Sequence, residues 1–140
     1  MLWDMKTVIN DMKKIGRSIV FAFKGLRHAY RGDKSFRMEV NYGLPIYLGI
    51  AWLLAPFEPW ELLLYTFSYI LILLVELMNT AFETMLNHLH PGEHYVVGKS
   101  KDIASASVFV AFIFAFIVVL VLWYSRCQVD GGYSLGSVIV

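Results

Sequence analysis

The sequence predicts an all-α integral membrane protein, with an N-terminal amphipathic surface helix followed by three transmembrane helices. Apolar residues make up 58% of the 140 residues and charged residues only 16%, whereas a soluble chain is about half apolar and about a quarter charged. Three long segments carry no charge, at residues 40–57, 62–75 and 103–125. Most of the basic residues lie before Asn41, a distribution that suits an anionic cytoplasmic leaflet.

Length and composition also bear on the number of domains, on nucleic-acid binding and on disulfide formation. At this length a single domain is expected, and we treat residues 1–140 as one membrane domain. No nucleic-acid partner is expected, because the basic N-terminal segment is followed by a strongly apolar remainder. Cys127 is the single cysteine, so the chain cannot form an intrachain disulfide.

Residues 1–38 are predicted to form a cytoplasmic amphipathic region. Apolar side chains recur there every three or four positions, which places them on one helix face. They are Val8, Met12, Ile15, Ile19, Phe23, Leu26 and Tyr30. Basic residues fill much of the remaining surface, as in helices that lie on the inner face of a membrane. Gly32 and Asp33 interrupt the pattern before a second short helix.

The uncharged segments predict spans at residues 42–58, 60–86 and 101–124, followed by a tail at 125–140. A spanning helix needs about 20 mostly apolar residues. The third segment has this length by itself, whereas the second has it only if the helix continues past Glu76. The first is short and contains Pro45, which is tolerated near a helix start.

The distribution of basic residues predicts the orientation of these spans. The basic N-terminal segment should be cytoplasmic, and the connection at residues 56–60, which lacks Lys and Arg, should face outward. The segment 87–102 contains Lys99 and Lys101 and should return to the cytoplasm. Trp60 and Trp123 then fall where an outer aromatic belt is expected.

Two carboxylates lie within the second predicted span. Glu76, Asn79, Thr80, Glu83 and Asn87 are three or four residues apart, so they share one helix face. The two glutamates are separated by about 10 Å along the axis. A carboxylate inside a bilayer costs a few kcal/mol, which makes Glu76 a candidate functional residue. The alternative is a polar contact between helices that stabilises the bundle.

A second polar cluster opens the third span, with Lys101, Asp102 and Ser105. Lys101 and Asp102 are adjacent and therefore do not share a helix face. A lysine at this position suits a phosphate group, but an ordinary basic flank of a span explains it equally well.

Other kinds of phosphate or metal site are disfavoured by the sequence. His88, His90 and His94 flank a probable Pro-Gly loop, but no cysteine accompanies them in a structural zinc pattern. The sequence also lacks a Walker-type glycine loop and the motifs of protein kinases.

These polar residues resemble the signature of the prokaryotic diacylglycerol kinase and undecaprenol kinase family. The resemblance rests first on the run from Glu76 through Asn79 to Glu83. It extends downstream to His94, Lys101-Asp102 and Ser105, and upstream to Phe23-Lys24-Gly-Leu-Arg27 and Phe36-Arg-Met-Glu39. It covers residues 13–124, in the family's order and with similar gaps.

The resemblance implies a homotrimer of three-span subunits in the bacterial inner membrane, with the N-terminus in the cytoplasm and active sites between subunits. It implies transfer of the γ-phosphoryl group of ATP to a lipid hydroxyl, with Mg²⁺ as the metal and a membrane lipid as the partner. Diacylglycerol, which gives phosphatidic acid, is the leading substrate. Undecaprenol is the alternative lipid, and a non-catalytic membrane subunit on the same scaffold is a further alternative.

The resemblance also implies roles for individual residues. Glu76 is the expected catalytic base. Asp33 and Glu83 are the expected metal ligands. The expected nucleotide site consists of Lys14, Asp33, Glu83, His94, Lys101 and Asp102. The expected lipid site consists of Glu39, Glu76, Asn79 and Ser105. Two positions depart from the family pattern, since Asp33 replaces a glutamate and Asn87 stands where an aspartate is common.

Self-association is also expected from the residues themselves. Three helices are too few to enclose these polar groups from lipid, and a second copy would cover them. Small residues that permit close helix approach include Gly43, Gly49, Ala51, Ala55, Ala104 and Ala106. They are equally well explained as ordinary small residues of membrane spans.

Overall fold

The computed structural model describes residues 5–92 and 94–130, which form five α-helices and one π-helical turn. The helices are α1 (Met5–Gly32), α2 (Lys34–Met38), α3 (Leu44–Leu54), α4 (Pro59–Leu89) and α5 (Tyr95–Asp130). The π turn, Glu39–Gly43, joins α2 to α3. Since this part of the chain contains no strand, the predicted all-α class is confirmed.

Helix α1 exposes its apolar stripe on the surface of the protein and contacts the rest of the chain through its C-terminal end. Phe23 is 69% exposed, whereas Ala29 is buried. The Asp33 N–H donates to the Ala29 carbonyl at 2.8 Å, and the Tyr30 hydroxyl donates to Asn41 Oδ1 at 2.9 Å. The first bond closes the end of α1 and the second ties it to the π turn, which leaves the rest of the stripe available to a membrane surface.

Helix α2, the π turn and α3 follow one another without a break. Asp33 is the N-cap of α2, and its Oδ1 accepts a hydrogen bond from the Phe36 N–H at 2.7 Å. The chain leaves the helical conformation after Leu54 because Pro56 disfavours helical backbone in the residue before it. Residues 55–58, at the end of the predicted span 42–58, are therefore not helical.

Two of the described helices are long and apolar enough to cross a membrane, over Pro59–Leu89 and Tyr95–Gln128. They contain the predicted spans 60–86 and 101–124. Helix α3 has 11 residues and alone is about 16 Å long, which is too short to cross a membrane. The first predicted span, residues 42–58, therefore stays a prediction. Residues 125–130 of the predicted tail are helical, and residues 131–140 lie outside the described part.

The core lies where α4 packs against α5 and α3. One cluster of buried residues contains Leu54, Tyr65, Val118 and Leu122. The next contains Tyr69, Ile72, Ala111 and Ala115. Alanine on α5 allows the two long helices to approach closely, as small residues do in membrane helix pairs.

A charged clamp fixes the end of this core farthest from Glu76. The Arg126 guanidinium contacts the buried Glu61 carboxylate, with Nη2 to Oε2 at 2.5 Å. It also donates to the backbone carbonyls of Leu54 at 3.0 Å and Pro56 at 2.7 Å. One side chain of α5 thereby holds the connection between α3 and α4 in place.

Candidate active site

The four residues expected to contact lipid line one cavity of about 330 Å³. Glu39 reaches it from the π turn, Glu76 and Asn79 from α4, and Ser105 from α5. Its remaining lining residues are Ser35, Val108, Phe109 and Phe112. The cavity thus combines carboxylates, an amide and hydroxyls with an apolar wall, a combination that suits a molecule with a polar head and an apolar body.

The Glu76 side chain has an unused hydrogen-bond acceptor. The residue is 3% exposed, and within residues 5–92 and 94–130 its Oε1 has no hydrogen-bond partner, and neither has Asn79 Oδ1. The Thr80 hydroxyl does not serve it, because that group donates to the Glu76 backbone carbonyl at 2.9 Å. An unsatisfied buried acceptor costs free energy, and a ligand hydroxyl would satisfy it.

Acidic side chains from three parts of the chain gather around Glu76. The carboxylates of Asp33, Glu39 and Glu83 lie near enough to that of Glu76 for electrostatic repulsion. Such a concentration of negative charge favours a bound cation, which would offset the repulsion.

Asp33 and Glu83, the expected metal ligands, line a second cavity of about 830 Å³ between the end of α1 and α4. Asn87, His28 and His88 also line it. The described residues contain no group of three or more His, Cys, Asp or Glu side chains that could hold a metal. Two carboxylates still match Mg²⁺, which is commonly bound by one or two carboxylates together with substrate phosphates.

Lys101 and His94 line a third cavity, of about 570 Å³, where α4 connects to α5. Lys101 Nζ donates to Asn87 Oδ1 at 2.5 Å, and Asn87 borders the cavity of Glu83. The lysine is therefore bonded to a residue that borders the cavity of the expected metal ligands. The neighbouring Asp102 is exposed, as expected for adjacent residues on different helix faces.

Lys14 and the histidines near the α4–α5 connection are also candidate ligands of a nucleotide or a metal in the sequence. Lys14 lies on the exposed part of α1 and lines a separate cavity with Asp11 and Ser18. The structure therefore does not bring Lys14 to the other expected nucleotide ligands. The rings of His90 and His94 stack with centroids 5.7 Å apart, and no described group of side chains supports a zinc site.

Several lining residues were not predicted from the sequence. Ser35, Phe109 and Phe112 border the cavity of Glu76, and His28 borders that of Glu83. Each is a common residue type within a helix, without a charge or spacing that distinguishes it. Only the packing of separate helices assigns them to these cavities.

Comparison with known proteins gives a family match over most of the chain. The family described as "Prokaryotic diacylglycerol kinase" matches residues 20–123. The chain is 30% identical over 116 residues to the diacylglycerol kinase of Escherichia coli strain K12, covering 81% of this chain and 91% of that protein. It is 31% identical over 99 residues to the diacylglycerol kinase of Haemophilus influenzae, covering 67% and 78% of the two chains.

Proposed function

The chain belongs to the prokaryotic diacylglycerol kinase family and is a lipid kinase, and from this premise we propose that it phosphorylates diacylglycerol to phosphatidic acid with MgATP. The observation that carries this proposal is the buried Glu76 Oε1, which has no hydrogen-bond partner among the residues that the structure describes and lies at a cavity with a polar and an apolar side. A lipid hydroxyl is the kind of group that would complete this site.

Glu76 is proposed as the general base. Its carboxylate accepts the proton of the lipid hydroxyl while the hydroxyl oxygen forms a bond to the γ-phosphorus and the bond to the leaving ADP oxygen breaks. Phosphoryl transfer depends mainly on positioning and charge stabilisation, and a positioned base contributes a further ~10²–10⁴-fold. Glu39, Asn79 and Ser105 orient the lipid head, because they border the same cavity as Glu76.

Asp33 and Glu83 are proposed to hold Mg²⁺, which when bound offsets negative charge on the phosphate oxygens. Their shared cavity and two-carboxylate donor set support this assignment. Lys101 and His94 are proposed to bind the nucleotide phosphates, because Lys101 is held beside that cavity by Asn87. Asp102 is proposed as an outer member of the nucleotide site, whereas Lys14 lies apart from that site on α1.

The proposed setting is the bacterial inner membrane, with the N-terminus in the cytoplasm and three spans. The first span, within residues 42–58, would be carried by α3 together with the last two residues of the π turn. Large apolar side chains face outward along α4 and α5, including Leu63, Phe67 and Phe116. We propose a homotrimer, because the site residues line several open cavities that a neighbouring subunit would close.

Undecaprenol is the second candidate substrate, since a base and a metal site would serve either lipid hydroxyl. The test uses the purified full chain in detergent, supplied with MgATP and either diacylglycerol or undecaprenol. A higher kcat/KM for diacylglycerol than for undecaprenol supports the proposal. A higher kcat/KM for undecaprenol would instead identify undecaprenol as the substrate. Phosphorylation of neither lipid would contradict the assignment of Glu76 and favour a non-catalytic subunit.

A further inference from the structure

Two hydrogen bonds meet at the backbone carbonyl oxygen of Glu39. The Leu44 N–H donates to it, which is the bond that defines the π turn. The Tyr69 hydroxyl on α4 donates to it as well, at 2.8 Å. A second helix therefore holds the first residue of the turn, and with it the backbone that carries the Glu39 side chain.

The Tyr69 hydroxyl is aimed at the turn by the packing of its ring. Tyr69 is 7% exposed, and its ring stacks on that of Tyr47 with centroids 4.8 Å apart. A buried tyrosine hydroxyl normally requires a hydrogen-bond partner, and here the partner is the Glu39 carbonyl. The orientation of the ring and the position of the turn are thus coupled.

Gly43, at the other end of the π turn, leaves room for the Glu39 carboxylate. A Cβ atom at Gly43 would lie 2.9 Å from Glu39 Oε2 and 3.6 Å from the Tyr69 hydroxyl oxygen. The first distance is too short for a real contact, so any side chain there would displace the carboxylate. Glycine at residue 43 therefore permits the carboxylate to lie along the turn.

We propose that Tyr69 is a positioning residue, which with Gly43 fixes the Glu39 carboxylate in the lipid cavity beside Glu76. Tyr69 acts through the Glu39 backbone, since it does not line that cavity. Single π turns inside helices are often found at functional sites, where the extra residue redirects the side chains around it. This inference rests on the proposed role of Glu39 in lipid binding.

Tyr65 provides a matched control for the loss of one buried hydroxyl. Its ring also stacks on that of Tyr47, with centroids 4.1 Å apart. Its hydroxyl donates to the Tyr47 carbonyl at 2.6 Å, away from Glu39. Tyr65→Phe and Tyr69→Phe therefore remove the same group from the same stack, and only the second removes a bond to the π turn.

The first experiment measures hydrogen exchange of the backbone amides in residues 39–44, with the full chain in detergent. Tyr69→Phe is expected to accelerate exchange there several-fold, and Tyr65→Phe to leave it unchanged. This measurement requires no activity. Equal exchange in the two variants would overturn the positioning role of Tyr69, whether or not the protein phosphorylates a lipid. Absence of lipid phosphorylation would contradict the proposed function and leave the exchange result to test Tyr69.

The second experiment measures KM for diacylglycerol and for ATP. Tyr69→Phe is expected to raise the lipid KM about fivefold, the scale of one hydrogen bond, with the ATP KM unchanged. Gly43→Ala should act in the same direction. In a Glu39→Gln background Tyr69→Phe should add nothing further. If it raises the lipid KM equally there, Tyr69 does not act through Glu39 and the proposal is wrong.

Discussion

Lys101 Nζ lies 2.5 Å from Asn87 Oδ1, so a basic side chain of α5 is held by a neutral amide of α4. Asn87 also borders the cavity that contains Asp33 and Glu83. A lysine ammonium can make a charge-assisted hydrogen bond to a phosphate group. The bond holds the lysine at the border of the cavity that contains the proposed metal ligands.

Substitution of Asn87 tests the importance of this bond. Asn87→Leu removes the acceptor at similar volume and is expected to raise the KM for ATP about fivefold, as for the loss of one hydrogen bond. Asn87→Asp keeps an acceptor and should remain within about twofold of the wild type, because a carboxylate accepts from lysine at least as well. Steady-state kinetics with ATP varied measures both. Equal behaviour of the two variants would exclude a positioning role for Asn87.

Glu76→Gln tests the proposed base. We expect kcat to fall at least ~100-fold with little change in the KM values, since the amide cannot accept the proton. The thermal unfolding midpoint should not fall, because Glu76 Oε1 has no hydrogen-bond partner among the described residues. Removing an unpaired buried charge does not destabilise the fold. Glu61→Gln, the same substitution near the other end of α4, serves as the control. Retention of full activity by Glu76→Gln would remove Glu76 from the mechanism.

Asp33 combines a structural and a proposed metal-binding role, and two variants separate them. In the wild type, Asp33 Oδ1 accepts a hydrogen bond from the Phe36 N–H. Asp33→Asn preserves this acceptor, because asparagine is an equally good N-cap. It should leave thermal stability unchanged and raise the Mg²⁺ concentration for half-maximal rate about tenfold. Asp33→Ala should in addition destabilise by about 1 kcal/mol. An unchanged Mg²⁺ requirement in both variants would assign Asp33 to capping alone.

The clamp between Glu61 and Arg126 is expected to affect stability and not catalysis. Glu61 lies 15 residues before Glu76 on α4, a distance of about 22 Å along the helix. Glu61→Gln removes the negative charge that contacts the Arg126 guanidinium, and the loss of a charged partner is unfavourable in a partly buried site. The unfolding midpoint in detergent should fall while both KM values and kcat stay at the wild-type level. A parallel loss of kcat and stability would show that the two ends of α4 are coupled.

The sequence by itself determined the features that depend on local patterns. The three-to-four-residue spacing of apolar side chains predicted the helix now seen over Met5–Gly32, because such spacing marks one helix face. The same rule placed Glu76 and Glu83 on one side of a single helix. Long uncharged segments likewise predicted α4 and α5, because length and hydropathy are properties of neighbouring residues.

Only the tertiary structure decided which distant groups meet. It brings Glu39 of the π turn into the cavity of Glu76, and it sets the Tyr69 hydroxyl on the Glu39 carbonyl. It likewise joins Arg126 to Glu61. Such contacts arise from the packing of whole helices against one another, and the spacing of residues along one segment carries no information about a partner on another.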